Sequence, residues 1–88
     1  MALSDARLLR VLKRKYRRMK PTDPNRTAVA HVIADDGARA KLLASLGKRI
    51  KAGSLASPGA HPILEQLIQW FEENWLTILE EILKLFVH

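Results

Sequence analysis

The stretch Pro62-Ile-Leu-Glu-Gln-Leu-Ile-Gln-Trp-Phe-Glu-Glu-Asn-Trp-Leu-Thr-Ile-Leu-Glu-Glu-Ile-Leu-Lys-Leu-Phe-Val87 decides the fold class. Its large apolar residues recur every three or four positions, which is the period of a helix with one buried face. Leu64, Leu67, Ile68, Phe71, Trp75, Ile78, Leu79, Ile82, Leu85 and Phe86 fall on one broad side, and Gln66, Gln69, Glu73, Thr77, Glu80 and Lys84 lie opposite. Pro62 suits the first helical position, where its missing N–H is no loss. The spacing predicts one amphipathic helix over 62–87, about 39 Å long at 1.5 Å per residue. Leu64, Leu67, Phe71, Ile78 and Leu85 partly fit a heptad, with Trp75 displaced by one from the expected Asn74. The run is short and the face is wider than a coiled-coil seam, so a helical bundle is expected instead.

A face this apolar does not stay in water. Leaving half of ten large side chains exposed would forfeit several kcal/mol at about 1.5–3 kcal/mol each. A small domain has only about 5–15 kcal/mol in total. The remainder of the chain offers modest apolar residues, many of them alanine, so the expected cover is another copy or a larger assembly. The expected fold class is all-α: short N-terminal helices plus one long C-terminal helix, in a bundle completed by oligomerisation.

Upstream, residues 4–20 read as a first helix, with Ser4 as N-cap, Asp5 at the positive end of the helix dipole and Pro21 as the stop. Leu8, Leu9, Leu12, Tyr16 and Met19 share one side; Lys15 intrudes at its edge. The tract 21–26 (Pro-Thr-Asp-Pro-Asn-Arg) is a turn. Thr27 is placed to cap a short helix over 28–34, and residues 38–51 read as a third, with Leu42, Leu43, Leu46 and Ile50 at helical spacing. Asp35-Asp36-Gly37 is a turn signal, yet one continuous kinked helix fits the same pattern. Residues 52–61, with two glycines and a proline, form a flexible linker. The expected organisation is thus a basic helical region (1–51), a linker (52–61) and an amphipathic helix (62–88).

Charge separates the two ends. Residues 1–60 carry fourteen Lys/Arg against four Asp, +10; residues 61–88 carry five Glu against one Lys, −4. Eight of the cations lie between Arg7 and Lys20 with no acid among them. Like charges four apart, such as Arg10/Arg14 and Arg14/Arg18, destabilise an isolated helix. A row of phosphates relieves this repulsion, and each neutralised phosphate releases condensed counterions. Arg7, Arg10, Lys13, Arg14, Arg17, Arg18 and Lys20 are therefore the candidate nucleic-acid-binding residues, through non-specific backbone contacts. The ten apolar residues of the C-terminal stretch are the candidate oligomer or partner interface. The sequence also allows an acidic helix of one copy to meet the basic segment of another.

Two other readings remain open. The aromatic helix could lie on a membrane surface, although its acidic polar side is unlike the Lys/Arg-rich side usual there. Residues 28–50 could form a helix-turn-helix, its second helix presenting Arg39, Lys41, Lys48 and Arg49 to a DNA groove. Catalytic signatures are absent: Gly37, Gly47, Gly53 and Gly59 are isolated, Ser45, Ser54 and Ser57 have no nearby base, and cysteine is lacking. His31 and Asp35, four apart, suit a local hydrogen bond better than a metal site; His61 borders a proline and His88 is the last residue. No cofactor is expected. With no apolar run free of charges for about 20 residues and no secretory pattern after Met1, the expected location is cytoplasmic or inside a larger particle. The expectation is a small non-enzymatic assembly or architectural protein, its C-terminal helix oligomerising or docking and its basic N-terminal helix on nucleic acid.

Overall fold

In the computed structural model, which describes residues 3–59 and 62–86, all regular secondary structure is helical. The helices are α1 (Asp5–Arg18), α2 (Arg26–Ala34), α3 (Asp36–Ala52), α4 (Leu64–Glu73) and α5 (Trp75–Lys84). Ser4 caps α1 as its position implies, its hydroxyl accepting from the Arg7 N–H at 3.3 Å. The first helix ends at Arg18, two residues before the expected limit, because Met19 is already extended ahead of Pro21.

Residues 28–51 form two helices. The break is Asp35, extended at φ −117° and ψ 109°. Its Oδ1 accepts from the N–H groups of Gly37 (2.9 Å) and Ala38 (3.2 Å), which have no partner inside the new helix. The third helix therefore starts at Asp36, and α2 starts at Arg26, ahead of the expected Thr27 cap. At the far end Gly53 takes a left-handed turn (φ 82°). Its N–H donates to the Ile50 carbonyl at 3.1 Å and the Ser54 N–H to the Arg49 carbonyl at 3.0 Å, closing the last orphan carbonyls of α3.

The single long helix over 62–87 is not what forms. Its C-terminal end runs into residues 87–88, which lie outside the described residues. Two ten-residue helices meet at Asn74, which leaves helical geometry at φ −108° and ψ 14°. The Asn74 amide Nδ2 donates to the Trp70 carbonyl at 2.7 Å, holding the corner. Asparagine favours such a break because its side chain competes for backbone groups. The position is also where the heptad pattern slips. The break lets Leu67, Phe71, Ile78 and Ile82 reach the core of their own chain, while Leu64 and Phe86 of the expected apolar face stay exposed.

Leu8 and Leu12 of α1, Val29 and Val32 of α2, Leu42 and Leu46 of α3, Leu67 and Phe71 of α4, and Ile78 and Ile82 of α5 are all fully buried in one cluster. The bundle thus closes within one chain, and Leu67, Phe71, Ile78 and Ile82 need no partner copy. The 52–59 segment contributes to the same core: Leu55 is buried, and the Trp70 indole N–H donates to the Ala56 carbonyl at 2.8 Å.

Candidate nucleic-acid interface

Most of the acidic residues are paired with cations of the same chain. Arg39 is buried, its guanidinium donating to Asp5 of α1 at 3.0 Å, to Asp36, and to the carbonyls of Val32 (3.2 Å) and Ile33 at the end of α2. The Asp5 hydrogen bond, with the charges of Asp5 and Asp36, raises the Arg39 pKa despite the opposing effect of burial. Arg49 joins α3 to α5 by donating to Glu81 and, at 3.0 Å, to Glu80. Burial alone would push the Glu81 carboxyl up; the Arg49 hydrogen bond and charge, helped by Lys84, hold it below the usual carboxylate range. Lys15 joins α1 to α4 through Glu72 at 2.9 Å and lies 4.8 Å from the centre of the Trp75 ring. Its position at the edge of the apolar stripe was the sequence signal for this inward role.

Beyond Asp5, the exposed charge along α1 is positive. Arg10, Lys13, Arg14, Arg17, Arg18 and Lys20 are exposed, and none has an ion-pair partner among the described residues. Leu8, Val11 and Leu12 fix the rotation of α1 by entering the core, so the outer side presents Arg10, Lys13, Arg14 and Arg17 in adjoining turns. Arg7 is half-buried beside them. Along one flank two shallow hollows of about 430 and 280 Å³ run between α1 and the start of α4. Their walls are Arg7, Arg10, Lys13, Arg14 and Arg17, and their apolar floor is Ile63, Leu64, Leu67 and Ile68. Arg26 stacks on Tyr16 at 4.0 Å along the other flank.

No protein-family model, curated protein sequence or solved structure matches this chain.

The fold does bring six of the seven candidate phosphate-binding residues onto an exposed surface and keeps Arg7 at its margin. It disperses the candidate interface. Leu67, Phe71, Ile78 and Ile82 are core; Ile68, Trp75, Leu79 and Leu85 are half-buried; Leu64 and Phe86 are exposed. Conversely, sequence reasoning passed over Ile63 (59% exposed), Leu76 (81%) and Leu83. Leu76 and Leu83 lie seven apart, outside the assigned stripe, which was their only sequence signal.

Of the four residues assigned to a helix-turn-helix, Arg39 is buried and Arg49 half-buried, both paired with carboxylates, while Lys41 and Lys48 are exposed on α3, as is Lys51. His31 Nε2 is 3.5 Å from Asp35 Oδ2, and its ring meets Phe86 edge-on at 5.0 Å. His61 and His88 lie outside the described residues. Among the described residues, no three His, Cys, Asp or Glu are grouped to hold a metal ion, and no helix is long and apolar enough to cross a membrane.

Proposed function

We propose that this chain is a small non-enzymatic architectural protein that binds nucleic acid through the phosphate backbone along the outer side of α1. One observation carries the reading. Among the described residues, the carboxylates that pair do so with Lys15, Arg39, Arg49, Lys84 and His31, while six cations of the α1 segment have no ion-pair partner. A helix that repels itself in this way gains from a polyanion, and arginine supplies bidentate phosphate geometry. Phosphate contacts position a protein but do not specify sequence, so binding without sequence preference is expected.

Fluorescence anisotropy with labelled duplexes of unrelated sequence tests this. Affinity should be alike across sequences and fall about a thousandfold from about 50 to about 200 mM salt if some six phosphates are contacted. Replacing Arg10, Arg14 or Arg17 by Gln should each lower the slope of log affinity against log salt by about one. No binding at low salt, or binding indifferent to salt, would remove the reading.

A further inference from the structure

We infer that copies of this chain associate head to tail, the outer ridge of α5 on one copy seating in the groove between α1 and α4 of the next. Two surfaces carry this. The groove has an apolar floor, where Ile63 is 59% and Leu64 44% exposed, under a rim containing Arg10 and Arg14. The ridge centres on Leu76, the most exposed large apolar side chain described at 81%, with Leu83 two turns on at 37%. Exposed Glu73 ends α4 just before it, and half-exposed Glu80, which also holds Arg49 and Lys84, sits on the same stripe. The surfaces are complementary: a projecting leucine beside Glu73 and Glu80, and an apolar hollow edged by guanidinium groups of Arg10 and Arg14 that have no ion-pair partner among the described residues.

Within one copy the two cannot meet, because the inner side of α5 is fixed on the core by Ile78 and Ile82. Like surfaces do not match either. Two grooves would set Arg10 and Arg14 against their equivalents, and two ridges would bring Glu80 against Glu80. Charge complementarity therefore selects a heterologous contact, which propagates into a ring or an open chain of copies. The contact is small compared with a standard interface, so it forms at high local concentration. It does not rest on the phosphate reading. The two share rim cations, so a polyanion competes for the groove.

Leu76→Asn spoils only the ridge and Leu64→Asn only the groove. Both positions are exposed, and circular dichroism with thermal melting verifies that each variant folds. Without nucleic acid, the wild-type mass by sedimentation should rise past two copies over about 10 µM to about 1 mM, a range suited to a small contact. Each variant should associate at least about tenfold more weakly. An equimolar mixture should form a one-to-one dimer and nothing larger, because the sound groove of one variant takes the sound ridge of the other. A wild type that stays monomeric throughout overturns the proposal. So does a mixture that behaves as its two components do separately, which would indicate a symmetric contact or another surface.

Discussion

Arg39 of α3 and Asp5 of α1 are joined at 3.0 Å across 34 positions of sequence. The pair ties the first turn of the chain to the α2–α3 corner, because the same guanidinium also holds Asp36 and the carbonyls of Val32 and Ile33. Arg39→Ala leaves those carbonyls without a donor. A loss of about 2–3 kcal/mol in urea unfolding is expected. Asp5→Asn, at a half-exposed carboxylate, should cost no more than about 1 kcal/mol. If Arg39→Ala were as mild as Asp5→Asn, the buried network would not hold the corner.

The Glu81–Arg49 pair makes stability depend on acid. The folded pKa of Glu81 is depressed, so the unfolded chain binds the proton more readily. The stabilisation is then present above the ordinary carboxylate range, about pH 4–5, and is lost as the pH falls through the depressed folded value. Melting temperature between about pH 7 and about pH 3 should fall less steeply for Glu81→Gln than for the wild type. Parallel curves would mean the pair is not coupled to folding.

Asn74 is expected to govern copy number through the break between α4 and α5. Asn74→Ala removes the 2.7 Å bond to the Trp70 carbonyl, worth about 1 kcal/mol, and favours helix by about 0.6 kcal/mol. Both changes favour a straightened 62–87 rod whose exposed apolar side must find cover on another copy. The variant should populate an exchanged dimer that dilution reverses slowly, visible by size exclusion with light scattering. An Asn74→Ala chain that keeps the wild-type mass would mean core packing alone sets the corner.

Gly53, which caps α3, should tolerate substitution poorly for backbone reasons. Its φ of 82° disfavours any side chain, although a Cβ there would meet no atom within 4 Å. Gly53→Ala should therefore destabilise by about 1 kcal/mol through conformation alone. Gly53→Asn should recover part of this, since asparagine tolerates the left-handed region. Chemical denaturation of the two variants separates strain from crowding.

The sequence by itself determined the helical class, the cap at Ser4, the stop ahead of Pro21 and the positive surface of α1. These are local properties: three- and four-residue spacing, capping chemistry and charge within one turn can be read without knowing the fold. Only the tertiary structure decided which charges are free and which apolar side chains are covered. Arg39 and Arg49 look in sequence like the other basic residues, and only Lys15 stood at the edge of an apolar stripe. They became internal because Asp5, Glu81 and Glu72 reach them from helices distant along the chain. Asn74 carried a visible slip in the heptad and a local preference for a break, but a preference of this size does not by itself end a helix. Packing adds to it, since Phe71 and Ile78 on either side of the break lie in the same core, and the area available to bury is a property of the whole packed chain.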